Sequence, residues 1–181
     1  RVAGANAYVA RTGYTGEDGY ELIVPSEAAT AIWKELMDRG ATPCGLGARD
    51  VLRLEAGLLL HGNDMDASVN PYEAGLDRFV DPDRDAYLAG PALRRIRDQG
   101  VTRRLVGFNM VARGIARHGY AITDGQHVIG RVTSGGPSST LDSNIGLGYV
   151  PTGHAAPGSR IYVEVRGRPI AAEVTTLPFY A

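Results

Sequence analysis

Three side chains in this 181-residue chain are placed, by type and spacing, to do chemistry. Arg49 and Arg53 stand four apart in "CGLGARDVLRLEAGLLL". On a helix that spacing puts both guanidiniums on one face, where like charges repel by about a few tenths of a kcal/mol. Either Asp50, Glu55 or a distant carboxylate neutralises them, or one or both reach an anionic or carbonyl-bearing ligand, for which the planar guanidinium fork is well shaped. Spacing alone favours neutralisation. The third is Glu21, in "YELIVP". Strand alternation puts Tyr20, Leu22 and Val24 on one face and Glu21 with Ile23 on the other. If that second face is covered, the carboxylate needs a donor such as Arg49 or a ligand N–H. If it is solvated, Glu21 is an ordinary exposed residue.

Other chemistry is poorly represented. His61, His118, His127 and His154 are scattered and read as structural or exposed. There is no paired-cysteine metal spacing, no Walker-type phosphate loop and no Gly-x-Ser-x-Gly elbow. "GLGARD" lacks the third glycine of a dinucleotide fingerprint. With 19 basic and 20 acidic residues the net charge is −1. Phosphate neutralisation on nucleic acid is therefore not suggested. The single cysteine, Cys44, forms no internal disulfide, which fits a reducing, cytoplasmic setting. No apolar run reaches membrane length. The 24 glycines follow no period, so they read as many tight turns and much β structure. The chain opens on a strand-like "AYVA" with no leader and no initiator Met, and is expected to be a piece of something longer or a processed chain.

The elements that must carry these side chains follow from pattern. Residues 7–12 and 20–25 read as two strands joined by a glycine-rich connection, "RTGYTGEDGYE", with Asp18-Gly19 as the turn. "SEAATAIWKELMDRG" reads as a helix with Ser26 as N-cap and Gly40 just past its end. Ala28, Ile32 and Leu36, flanked by Trp33 and Met37, form its expected core stripe. A second helix begins near Ala48, with Val51, Leu52, Leu54 and Leu58 packed. "AGPALRRIRDQG" reads as a third, with Pro91 at its start and Gly100 as its stop. After Gly100 come six short strand-like runs in about 80 residues, a spacing that indicates a small barrel or sandwich. The expected boundary lies near residues 99–102, with an α+β part over 1–100 and a β domain over 101–181.

The segments "ARTGYTGEDGYELIVP" and "CGLGARDVLRLEAGLLLHGNDMD", followed by "IGRVTSGGPSSTLDSNIGLGYVP" and "VRGRPIAAEVTTLPFY", closely resemble the T-protein (aminomethyltransferase) family of the glycine cleavage system. The likeness covers nearly the whole chain in the family's order. It implies a mixed strand/helix segment of the family's folate-binding fold followed by a small C-terminal β-barrel. It also implies transfer of an aminomethyl group from the lipoyl arm of H-protein to tetrahydrofolate, releasing ammonia. Glu21 matches the family's pterin-binding glutamate, Arg49 its folate-contacting arginine, Tyr14 an aromatic residue near that site and Tyr180 a C-terminal tyrosine of the same pocket. Arg53 is given a structural role. No metal is implied.

The resemblance also implies what this stretch lacks. The family's catalytic aspartate lies in an N-terminal half absent here, so no catalytic residue is expected in this chain, and alone it is expected to show no turnover. Its partners would be lipoylated H-protein and the missing half of the same enzyme. The phrase "YLAGPALRRI" departs from the more lysine-bearing form usual in the T-protein. Two further readings stay open: the folate-binding segment of a dimethylglycine- or sarcosine-type demethylase, and a non-catalytic folate-binding accessory protein.

Overall fold

The computed structural model describes residues 1–180, and the chain divides into two compact units, Arg1–Arg53 and the remainder from Leu54 onward. Among the described residues, eight strands, three α-helices and two short 3₁₀ turns make up the regular structure. The mixed α+β class and the closed barrel are both as expected from the sequence.

In the first unit, β1 (Tyr8–Ala10) and β2 (Glu21–Ile23) pair antiparallel, with Ala10 opposite Glu21 and Tyr8 opposite Ile23. An exposed ion pair from Arg11 to Asp18, at 2.8 Å, spans the connection between them. The residue that needs a left-handed backbone there is Gly16, at φ +81, and not Gly19. Helix α1 (Ser26–Asp38) follows. Its N-cap is Pro25 rather than Ser26, and no side chain caps the first turn. Its end is built as expected. Gly40, at φ +95, donates to Met37 O, and Ala41 N–H donates to Leu36 O, which closes the last turn.

The expected core stripe of α1 is corrected. Only Ile32 is buried; Trp33 is 54% exposed, and Leu36 and Met37 are exposed as well. The helical period identifies the apolar face, but burial requires another element over it. No element of residues 1–53 covers this face.

Helix α2 (Leu46–Glu55) carries both arginines. After it the chain winds through loops and a short 3₁₀ turn to α3 (Gly90–Gln99), which begins with Pro91 and stops at Gly100, φ +76. The barrel then takes over. Strands β3 (Arg103–Met110), β4 (Ala121–Thr123), β5 (Val128–Ser138), β6 (Ser143–Pro151), β7 (Arg160–Val165) and β8 (Arg168–Thr175) close in the order β3-β6-β5-β4-β7-β8. Every pairing is antiparallel. Closure leaves no open edge to aggregate.

Alternation sorts the barrel residues into two packed sets. Val106, Phe108, Val132, Val150, Ile161, Val163 and Val174 fill the interior. On the opposite face of β6, Ile145 and Leu147 are fully buried beneath Leu54, with Leu59, Leu105, Leu141 and Phe179 packed against them. The barrel is thus buried on its outer side too, by Leu54 at the end of α2, by Leu59 and by Phe179.

Candidate functional site

The residues singled out in the sequence fall in different surroundings. Glu21 is exposed at the start of β2, and no hydrogen bond or ion pair of its carboxylate is present among the described residues. Arg49 is exposed on α2, its guanidinium carbon 4.8 Å from the centroid of the half-buried Tyr14 ring. That cation–π contact brings two of the four expected site residues together. At an exposed site it contributes about 0.5–1 kcal/mol. Its main effect is to hold the guanidinium plane in one orientation, with its N–H edges uncommitted. Tyr180 is half-buried at the last described position, just after Phe179, whose N–H donates to Glu55 O at 3.0 Å.

The two helical arginines separate in role. Arg53 is 2% exposed and pairs with Asp50 at 2.7 Å, so the repulsion implied by the spacing is removed by a local carboxylate. Arg49, one turn earlier, makes no such pair. A buried guanidinium needs a fixed acceptor; an exposed one is free to meet a ligand. No cluster of His, Cys, Asp or Glu that could hold a metal occurs among the described residues.

The sequence pattern did not expose two buried carboxylates. Glu55, 1% exposed, accepts from the hydroxyls of Ser138 and Thr140, tying the end of α2 to the β5–β6 turn. Asp64, 0% exposed, accepts from Thr133 Oγ1 at 2.5 Å and from Leu60 N–H at 2.9 Å. Thr133 reaches it because the β5–β6 register shifts between Val132 and Ser134, a bulge that re-aims one side chain. Tyr149 donates its hydroxyl to Asp64 O at 2.8 Å, and burial first of all pushes its phenol above its ordinary range. A visible signal did exist: "NDMD" packs polar residues after the apolar run "AGLLL". Whether Asp64 is buried depends on strands 69 to 85 residues away.

Asp64 therefore clamps the loop to the barrel rim. Replacing Thr133 with Val keeps the volume and removes one donor from a buried carboxylate. We expect a loss of about 1–3 kcal/mol, read as a lower midpoint in denaturant with unchanged slope.

The matches to known proteins run along this same architecture. Residues 1–84 match the family described as GCVT N-terminal domain, and residues 103–181 match the glycine cleavage T-protein C-terminal barrel domain. The chain belongs to the glycine cleavage T-protein family. It is 49% identical over 177 residues to an aminomethyltransferase of Thermosynechococcus vestitus, covering 98% of this chain and 48% of that one. An aminomethyltransferase of Halothermothrix orenii is 48% identical over 180 residues, covering 97% and 50%. The crystal structure of the glycine cleavage system aminomethyltransferase T from Bartonella henselae superimposes with a TM-score of 0.90 at 36% identity, over 96% of this chain and 49% of that one. This T-protein chain thus spans about half the length of the curated relatives it matches.

Proposed function

We propose that this T-protein chain supplies the folate-holding part of an aminomethyltransferase, which passes an aminomethyl group from the lipoyl arm of H-protein to tetrahydrofolate and releases ammonia. Tetrahydrofolate is the second substrate. The observation that carries the reading is the arrangement at Arg49: an exposed guanidinium laid over the Tyr14 ring, with no carboxylate claiming its N–H groups.

The residues present fit a pterin. Its edge offers an amino group and a ring N–H, and the uncommitted Glu21 carboxylate can accept from both. Arg49 and Tyr14 offer a flat, polarisable surface beside donors. Tyr180 is assigned to the same pocket by family likeness. Holding the folate in place supports transfer by orientation and by exclusion of water. The carboxylate that assists the reacting amine is assigned to the part of the relatives' length that this chain does not span, so no residue here is given a catalytic role.

Unit one supports a missing companion. Tyr8, Val9, Tyr20, Ile23, Trp33 and Leu46 are all more than half exposed, and Ile32 is the only buried apolar residue before Leu54 among those described. The other half of the enzyme is the partner we assign to that surface. No helix among the described residues is long and apolar enough to cross a membrane, and we place the reaction in the cytoplasm.

The test is an isotope assay with aminomethyl-loaded H-protein and tetrahydrofolate. The 181-residue chain alone is expected to yield no methylenetetrahydrofolate, and the polypeptide extended to its relatives' length is expected to yield it. Product from the chain alone overturns the assignment of the catalytic carboxylate elsewhere. Oxidation of dimethylglycine or sarcosine by the extended protein, without transfer from H-protein, overturns the donor.

A further inference from the structure

The barrel closes at β3 through only part of that strand. Strand β8 pairs with β3 only from Gly107 to Met110, opposite Thr175 to Ala172. The first half of β3 pairs with β6 on one side, and on the other Leu105 N–H donates to Glu73 O at 2.8 Å instead of to a strand. Here the chain after β8 turns away and Leu177 wedges into space that two glycines leave open. A Cβ on Gly107 would lie 2.6 Å from Leu177 Cδ2, and one on Gly57 would lie 3.3 Å from Leu177 Cβ. The gap becomes a cleft of about 370 Å³, with Leu58, Leu76, Leu105 and Leu177 among its apolar walls.

Two guanidiniums, Arg78 and Arg104, line the same cleft. No Asp or Glu lines it, and neither arginine has a carboxylate partner among the described residues. Arg78 only rests over the Phe79 ring, 4.6 Å from its centroid. The larger cavity lined by Arg103, Arg131 and Tyr149, about 460 Å³, makes the contrast. Its charges are already satisfied: Arg103 pairs with Glu73 at 2.9 Å, Arg131 donates to Gly119 O at 3.0 Å, and Asp66 accepts from Ser68. The cleft between β3 and Leu177 combines an apolar interior with two guanidiniums that no carboxylate compensates. Its volume suits a small molecule.

We propose that this cleft binds a small amphipathic anion, an apolar body ending in a carboxylate, with the body on the leucines and the carboxylate held by Arg78 and Arg104. Guanidinium is the side chain best shaped to take a carboxylate through two parallel hydrogen bonds. The site involves none of Glu21, Arg49 or Tyr14, so it stands whether or not the folate reading holds.

Octanoate is the probe, titrated calorimetrically into the full 181-residue chain, with octanol and octylamine as matched neutral and cationic controls. Saturable one-to-one binding is expected, with octanoate favoured over octanol by about tenfold or more, the usual return on a charge-assisted pair. Arg104→Gln and Arg78→Gln should each remove most of that preference while leaving the melting temperature and the affinity for octanol unchanged. Equal binding of octanoate and octanol, binding of octylamine as strong as octanoate, no saturation with any probe, or a preference that survives both substitutions together would each overturn the proposal. Added octanoate should also protect the amides of Leu105 and Gly107 from hydrogen exchange in the parent chain and not in the double variant. Protection that persists in the double variant would likewise place the ligand elsewhere.

Discussion

Glu21→Ala and Arg49→Ala should each weaken tetrahydrofolate binding by roughly tenfold to a hundredfold, with little change in melting temperature. The size follows from the bonds removed: a hydrogen bond to a charged group contributes about 1.5–3 kcal/mol, and each 1.4 kcal/mol is a factor of ten. The unchanged melting temperature follows from the structure, because both side chains are exposed and neither is paired with another charged residue. Asp18→Asn, which breaks only the exposed pair with Arg11, should leave folate affinity within about twofold, since exposed pairs contribute little. Arg49→Lys is the sharper variant. It keeps the charge and loses the planar fork, so affinity should fall nearly as far as with Ala. Titration of the polypeptide extended to its relatives' length is the measurement. Parent-like affinity in both Ala variants would remove these residues from the site.

The largest expected loss of stability comes from Phe108→Ala. Phe108 is 0% exposed in the barrel interior and lies opposite Gly146 in the β3–β6 register. A Cβ on Gly146 would meet Phe108 Cζ at 2.5 Å, so the ring occupies space that only glycine leaves free. Emptying it should cost about 3–5 kcal/mol, a fall of about 10–20 °C in melting temperature for a unit of this size. Gly146→Ala should cost about 1–3 kcal/mol by overpacking the same space. The double variant should then be less destabilised than the sum, because each change partly relieves the other. Additive losses in calorimetry would show that the ring and the glycine do not share that space.

Much of this arrangement was legible in the chain. The six runs after Gly100 became six strands because turn residues separate short alternating segments, and Ile161, Val163 and Val165 did fall on the inward face as their alternation required. Gly40 and Gly100 ended helices where backbone conformations with positive φ are cheap for glycine. Arg53 acquired its carboxylate three residues away, a spacing visible in "RDVLR". These features are local: they depend on period, on φ, or on neighbours within one turn.

What the sequence could not decide was every question that needs a second element. The stripe on α1 was apolar as read, yet Trp33 is exposed, because periodicity marks a face without supplying its cover. Glu21 stood even between buried and solvated until β2 proved to be one of only two strands in its sheet, with that residue open. Asp64 drew no reading from the pattern and Glu55 only one as a possible partner of the helical arginines, yet they are the most deeply buried acids, since their hydroxyl partners Thr133, Ser138 and Thr140 lie 69 to 85 residues away. By itself the sequence determined strand count and the glycine-marked ends of α1 and α3, all set by short-range sterics and alternation. Only tertiary structure decided which charges were consumed inside the fold and which, like Arg49, Arg78 and Arg104, were left over, because charge pairing is settled by proximity in space and not by order along the chain.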